Sequence, residues 1–368
     1  MSSENETAAA GAHGNPPETI PIRDGEDFDH AKLAAYLRGK LPGSDQPLEV
    51  LQFAGGHANL TYLVRYGSTE YVLRRPPIGP VAPSSHDMAR EFRVLSVLHR
   101  GYALAPRAFV LCEDPSIIGA PFFVMERRRG IVVRRSIPDE FGGGTDPVIN
   151  RKISQVLIDA LADLHQVDYR AVGLGDLGKP DGFLRRQVEG WMQRYERAKT
   201  REVPVVAEVV TWLRAHLPAS PPPTLVHNDW RLDNMMLDAN DPGRCEAVFD
   251  WDMCTLGDPL ADLGTLLCAW TEEHEGSFGS MQSTMPSNTP GFMSRREAVE
   301  RYGKRRNVDV SQMPYYYAFG VFKIAVIVQQ IFYRYHRGQT SDERFRFFDQ
   351  AAEALLWKAR DIAERLSL

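Results

Sequence analysis

Leu225–Leu237 reads "LVHNDWRLDNMML". Apolar residues close it at both ends, yet it carries one His, two Asp and two Asn, with no glycine to loosen it. Polar groups held between apolar flanks are costly unless they are paired or solvated. The run is therefore either a well-satisfied turn or a piece of chemistry, and the rest of the chain has to decide which.

The spacing inside and after the run is informative. His227-x-Asp229 is followed by Asn234, five residues after the Asp, and "VFDWD" places Asp250 behind an apolar, strand-like run. A carboxylate set at a substrate hydroxyl orients it and accepts its proton. An amide oxygen and a second carboxylate are hard oxygen ligands suited to Mg²⁺, which bridges phosphate oxygens and offsets their charge. H-x-D-x-x-x-x-N followed by a strand-borne Asp is the layout in which kinases combine a base, Asp229, with metal ligands, Asn234 and Asp250.

Working towards the N-terminus, "LEVLQFAGGHANLTYLVRYGSTEYVLRRPP" alternates β-branched and aromatic residues and breaks at Gly55-Gly56 and Gly67-Ser68. That pattern predicts three antiparallel strands joined by tight turns. Before it, "FDHAKLAAYLRGKL" has helical spacing. After it, "PSSHDMAREFRVLSVLHRGY" predicts a helix opened by Ser84 with Asp87 and stopped at Gly101. "RAFVLCED" and "PFFVMERR" predict two further strands. Arg74 falls on the third strand and Glu91 on the helix, the strand cation and helix carboxylate with which kinase folds hold nucleotide phosphates. A solvated surface pair is the alternative. The Gly-rich "FGGGTDP" separates this lobe from a mostly helical remainder. No GxxxxGK[ST] and no GxGxxG between strand and helix occurs, which argues against P-loop and Rossmann folds.

The composition sets the outer limits. A chain of 368 residues suggests two lobes, and 43% hydrophobic with 25% charged residues is ordinary for a globular protein. A net charge of −5 gives no reason to expect a nucleic-acid partner. Cys112, Cys245, Cys254 and Cys268 form no CxxC pair, as expected of buried thiols in a reducing compartment. "YYYAFGVFKIAVIVQQIF" contains Lys323 and two Gln, which favours a buried helix over a membrane span. "MSSENETAAAGAHGNPPE" lacks the basic and apolar regions of a signal peptide and reads as a disordered tail, taken to residue 25. A cytoplasmic protein is expected.

These motifs resemble the aminoglycoside phosphotransferase family of kinase-like small-molecule kinases, including the branch fused to acyl-CoA dehydrogenases. "VHNDWRLDNMMLD" stands where that family has its catalytic loop, and "FDWDMCTLGDPLADLG" where it has its metal-binding segment. "FAGGHANLTYLV", "YVLRRPP", "PFFVMERRRG" and "LADLHQVD" follow in family order, so the likeness spans roughly residues 30 to 340. It implies an α+β, bilobal protein-kinase-like fold. A small antiparallel-sheet N-lobe (26–128) would bind nucleotide, and a larger helical C-lobe (129–368) would carry the catalytic loop, with a cleft between them. It also implies ATP and Mg as cofactors, Asp229 as base, and Asn234 and Asp250 as metal ligands. Gly55, Gly56 and His57 to Asn59 would cover the phosphates, and Glu126 and Arg128 would meet the adenine through their backbone. Arg74 stands where most kinase-like enzymes have Lys; it resembles the dehydrogenase-linked branch there and supplies a fork of donors for phosphate.

Other polar residues carry structural expectations. His227 braces the loop, Asp258 before Pro259 is a helix N-cap, and His165 is a core or cap residue. Asp262 either ties down the catalytic loop or faces solvent, Asp252 is a candidate extra carboxylate at the metal, and Trp230 and Trp251 pack. "SRREAVERYGKRRNVD" holds six basic residues against two Glu before Asp309. A polycationic acceptor would want an acidic pocket, so this segment favours a small, anionic hydroxylated substrate such as a hydroxy acid or its CoA thioester; a solvated helix face is the alternative. A catalytically silent nucleotide-binding protein and a metal-dependent hydrolase remain open as other readings. Absence of DFG and A-P-E signatures disfavours a protein kinase.

Overall fold

The alternation from Leu48 to Arg75 does produce strands, and the computed structural model places them in a six-stranded antiparallel sheet. The structure describes residues 18–54, 59–77, 87–272, 275 and 285–366. By contacts the chain divides into two units, Met1–Ala89 with Ala108–Arg127, and Arg90–Arg107 with Arg128–Leu368.

In the first unit the sheet order is β1 (Thr19–Ile20), β2 (Leu48–Phe53), β3 (Leu60–Tyr66), β4 (Thr69–Arg75), β6 (Phe122–Glu126), β5 (Ala108–Cys112). Tyr66 faces Thr69 across Gly67-Ser68, and Gly67 takes φ 57°, which a two-residue hairpin turn demands and glycine adopts freely. Helix α1 (His30–Leu37) starts where the Asp29 side chain accepts from Lys32 N. It buries Leu33 and Leu37 in a core with Tyr62, Tyr66, Leu73 and Phe122. Tyr71, Leu73 and Arg75 share that face of β4, so alternation puts Arg74 on the opposite face. Arg75 is buried and donates to Ile118 O at 2.8 Å; burial lowers its pKa.

Two sequence-based boundaries need correction. The tail expected to reach residue 25 is too long, because Thr19 and Ile20 pair with Phe53 and Gln52. The division at 128 also changes, since Arg90–Arg107, most of α2 (Met88–Leu98) included, belong to the second unit. Two hydrogen bonds explain it: Val248 N donates to Leu104 O at 2.8 Å, and the Arg90 guanidinium donates to Cys254 O at 2.7 Å. Ser84, expected to cap α2, lies outside the described residues.

The second unit holds two small sheets and most of the helices. β10 (Cys245–Val248), β9 (Met235–Leu237) and β7 (Ile131–Val132) form one; β11 (Thr255–Gly257) and β8 (Thr224–Val226) form the other. Its helices are α3 (Pro147–Leu164), α4 (Phe183–Ala198), α5 (Val205–Ala215), α6 (Pro259–Cys268), α7 (Arg295–Arg306), α8 (Met313–His336) and α9 (Phe348–Arg365). By length and composition α8 alone among the described helices could cross a membrane, but it packs against α9, α6 and α4 and most of its apolar window is buried. A Cβ on Gly264 of α6 would lie 2.5 Å from Tyr316 O of α8, and one on Gly320 would lie 2.8 Å from Gly264 O. Only glycine permits this close crossing, which fixes α6 and α8 against each other.

The basic segment on α7 turns out to be partly structural. Arg301 makes paired bonds to Asp159 at 2.7 and 2.6 Å, and Arg305 to Asp163 at 2.7 and 2.8 Å, docking α7 on α3. Arg295 is buried with Glu272 and Glu275. These partners account for Arg295, Arg301 and Arg305, three of the six basic residues, so half of the segment's positive charge is spent on packing.

Candidate functional site

β8 delivers the chain into the loop and β9 takes it away, with Leu225, Val226, Met235, Met236 and Leu237 all buried. The flanking strands do not pair with each other: β8 pairs with β11, and β9 with β10 and β7. The loop between them is pinned from several directions. His227 Nε2 bonds Phe249 O at 2.9 Å, while its Nδ1 accepts from Asp229 N at 3.3 Å. That tautomer makes His227 a brace for the loop. The Asp262 carboxylate accepts from both His227 N (2.6 Å) and Asn228 N (2.8 Å), which resolves its two expected roles in favour of tying the loop down. Asn228 takes φ 67°, a conformation Asn tolerates better than most residues, and its Nδ2 donates to Met253 O.

Asp229 follows at the point these bonds define. Its carboxylate meets Arg231 at 3.2 Å, and Asn234 Nδ2 donates both to Asp229 Oδ2 (3.0 Å) and to its carbonyl (2.8 Å). With the amide nitrogen so occupied, Asn234 Oδ1 is the atom left to offer a cation. Arg231 also pairs with Asp233, whose pKa burial pushes up against the pull of that guanidinium. The Asp229 side chain is 33% exposed and open to a small molecule.

Asp250 is brought to the same place by Phe249. That residue's N–H donates to Asn234 O at 2.8 Å and its carbonyl accepts from His227, so both edges of one residue are stitched to the loop. Asp250 itself has φ 65°. A non-glycine residue in the left-handed region costs about 1–3 kcal/mol and persists where the surroundings over-determine it. Trp251 N donates to the buried Glu91 at 3.3 Å, and Trp251 and Trp230 pack fully buried, so neither lines an open surface. Asp258 caps α6 by accepting from Leu260 N, with Pro259 next.

The remaining expected residues fall in different parts of the chain. Asn59 and Arg74 lie in the first unit, as does Glu126 at the end of β6; Gly55, Gly56 and His57 lie outside the described residues. Arg128 begins the second unit after Arg127 ends the first, and its guanidinium reaches Ala103 O and Glu246 O. Among the described residues no group of three or more His, Cys, Asp or Glu is placed to hold a metal. Asn234 and Asp250, the expected metal donors, lie on segments joined through Phe249; an amide and a carboxylate are of the hard type Mg²⁺ accepts alongside water and phosphate oxygens.

Two residues were not singled out as functional by sequence reading: Arg231 holds Asp229, and Lys323 of α8 donates from Nζ to Asn228 O at 3.3 Å. A lysine in an otherwise apolar helix was the available signal, because a buried charge must find partners. Behind Asp262, His165 Nε2 lies 3.3 Å from its carboxylate and His165 Nδ1 2.7 Å from Tyr302 Oη, linking α3, α6 and α7 to the loop.

This relay predicts a pH dependence of stability. Burial pulls His165 below its ordinary 6.5 despite the neighbouring Asp262 carboxylate. Burial pushes Asp262 up, but His165 and His227 outweigh it and hold the carboxyl below its ordinary value. Both groups therefore take up protons at higher pH unfolded than folded. Each contributes stability that is lost as pH falls, His165 from about 6.5 downward and Asp262 from about 3.8 downward. The urea midpoint should hold above 6.5 and decline below it, and His165→Gln should flatten the first part of that decline. An unchanged acid limb in His165→Gln would remove His165 as its source.

A sheet-rich first unit, and a helical second unit in which the loop of Asp229 and Asn234 is stitched to the segment bearing Asp250, define a bilobal protein-kinase-like fold. A model of the phosphotransferase enzyme family matches residues 49–296, and the chain belongs to that family. It is 32% identical over 371 residues to acyl-CoA dehydrogenase family member 10 of Mus musculus, covering 96% of this chain and 33% of that protein. The chain thus spans only about a third of that relative's length. A solved structure assigned to the aminoglycoside phosphotransferases, from Ralstonia eutropha JMP134, is 30% identical with a TM-score of 0.78, covering 92% of this chain and 99% of that one. A thermostable mutant of an aminoglycoside phosphotransferase, in a complex with AMP-PNP and hygromycin B, shares the fold at 15% identity, with a TM-score of 0.56 over 90% of this chain and 98% of that one.

Proposed function

We propose that this chain is an ATP- and Mg²⁺-dependent O-phosphotransferase acting on the hydroxyl of a small, anionic molecule. The observation that carries the reading is Asp229 at the wall of a cavity of about 140 Å³, with Asn234 and Asp250 on the two segments stitched to it. Asp229 accepts the acceptor's proton as the acceptor's oxygen bonds to the γ-phosphorus of ATP and the bond to the departing ADP breaks, and Arg231 keeps the carboxylate oriented. Asn234 and Asp250 are the residues that would hold Mg²⁺, which would offset the negative charge of the phosphates. Asn59, Arg74, Gly55, Gly56, His57 and the backbone at Glu126 and Arg128 are the nucleotide contacts of this reading, with Glu91 supporting the site from α2. The AMP-PNP bound to the mutant aminoglycoside phosphotransferase supports nucleotide use.

The lining of the cavity supports the choice of acceptor. Val321, Ile324 and Leu355 offer an apolar wall and Thr265 a hydroxyl; of the lining cations, Arg231 pairs with Asp229 and Asp233 and Lys358 with Glu275, so no surplus of carboxylates faces the cavity. An uncharged or anionic alcohol suits such a surface better than a polycation. The test is a coupled ADP-release assay across hydroxy acids, their CoA thioesters, amino alcohols and aminoglycosides, with and without EDTA. ADP release stimulated by a hydroxy acid and abolished by EDTA is expected. A melting-temperature rise with ATP but no acceptor-stimulated release across the panel would overturn it in favour of a silent nucleotide-binding protein.

A further inference from the structure

We propose that Lys323 is a positioning residue for the acceptor base, holding the peptide plane that aims Asp229; this rests on the phosphotransferase reading above. The carbonyl of Asn228 and the N–H of Asp229 are the two edges of one planar unit. Lys323 Nζ takes the carbonyl edge at 3.3 Å, and His227 Nδ1 takes the N–H edge at 3.3 Å. With both edges held, rotation of that plane, which would swing the Asp229 side chain away from the cavity, is blocked.

The rest of Asn228 is held as well. Asp262 takes its N–H and Met253 O its side chain, so the left-handed backbone at φ 67° is determined from three sides. Lys323 comes from the middle of α8, beside Val321 and Ile324 of the cavity wall, so the same helix lines the acceptor cavity and grips the loop. Lys323 as a whole is only 7% exposed, on a helix that is otherwise apolar around it. Burying a lone ammonium is costly enough that an apolar side chain of the same shape would ordinarily serve a core better. Nearby groups compensate in part: the carboxylates of Asp262 and Asp229 favour the charged form, and the Trp191 ring lies 5.7 Å from Nζ. Burial still holds the pKa below its usual value. A buried lysine whose Nζ is directed at the carbonyl next to the base is accounted for by the loop it holds.

The experiment compares the full chain with Lys323→Met, which keeps length and apolar bulk without a donor, and Lys323→Arg, which keeps charge and donors. Hydrogen exchange read by mass spectrometry on the 225–237 segment should be faster by about tenfold in Lys323→Met, with α4 and α9 unchanged, and near wild type in Lys323→Arg. With the best acceptor of the ADP-release panel, kcat of Lys323→Met should fall by about 10²-fold while the KM for ATP stays within about twofold, as expected when a reacting group is misplaced. Unchanged exchange at 225–237 overturns the proposal. So does faster exchange spread evenly over α4, α8 and α9 with a kcat loss matching the unfolded fraction, because that is packing alone. If the segment loosens as expected but no protein, wild type included, releases ADP with any acceptor, the clamp stands and the phosphotransferase reading falls. Should Lys323→Met fail to fold, exchange and kcat in Lys323→Arg decide: near wild-type values in both support the clamp, and a stable fold with a loosened 225–237 segment overturns it.

Discussion

Asp229→Asn is expected to yield a folded protein that binds ATP but transfers phosphate about 10²–10⁴ times more slowly, the usual contribution of a positioned base. The substitution keeps shape and an oxygen for Asn234 Nδ2, and removes the charge and the capacity to take the acceptor's proton. Little stability should be lost. The side chain is 33% exposed and its pair with Arg231 is screened by solvent, so the change should stay within about 1 kcal/mol. The backbone bonds that shape the loop, from Asp262, His227 and Phe249, do not involve the Asp229 carboxylate. ADP release with the best acceptor and a urea melt, run on the same preparation, separate the two effects. Undiminished turnover would remove Asp229 as the base; a collapse of the melt would mean that its carboxylate is structural.

Which parts of this picture the sequence could reveal follows from the range over which each signal acts. Strands β2 to β4 were legible because alternation and turn residues are local, and Gly67-Ser68 sits where the hairpin turns. The Asp229, Asn234 and Asp250 grouping was legible because the chemistry restricts residue types at short offsets. Strand β1 was not, since two residues have no periodicity and exist as a strand only through pairing with Phe53 and Gln52. The basic run on α7 was misleading for the same reason. Two of its arginines, Arg301 and Arg305, meet Asp159 and Asp163, 142 residues away in the chain, and composition alone cannot see those partners. Asp262 could be left only between two roles, and Lys323 was noted merely as a charge in an apolar helix. Both act through α6 and α8, whose crossing depends on Gly264 meeting Tyr316 and Gly320. Long-range contact of that kind decides which buried charge reaches which loop.

The same Asp-to-Asn change at Asp262 is expected to give the opposite signature. Asp262 is fully buried, and its two oxygens accept from His227 N, Asn228 N and His165. An amide retains one oxygen and turns an NH₂ towards a backbone N–H, so a donor meets a donor and one or more buried groups lose their partner. Each such group costs about 1–3 kcal/mol, and breaking a buried charged network costs about 3–5 kcal/mol in all. Asp262→Asn should therefore lower the urea midpoint markedly, and Asp262→Ala at least as much. Phosphotransfer should fall in both, because Asn228 would lose the bond that opposes Lys323 and its left-handed backbone would relax. The activity loss should be accompanied by faster hydrogen exchange across 225–237, which Asp229→Asn should not show. An unshifted urea midpoint in Asp262→Asn would mean that the loop holds its shape without this carboxylate. Two aspartates 33 positions apart then separate the chemistry of the loop from its support: one is dispensable for folding and needed for transfer, the other needed for transfer because folding of the loop depends on it.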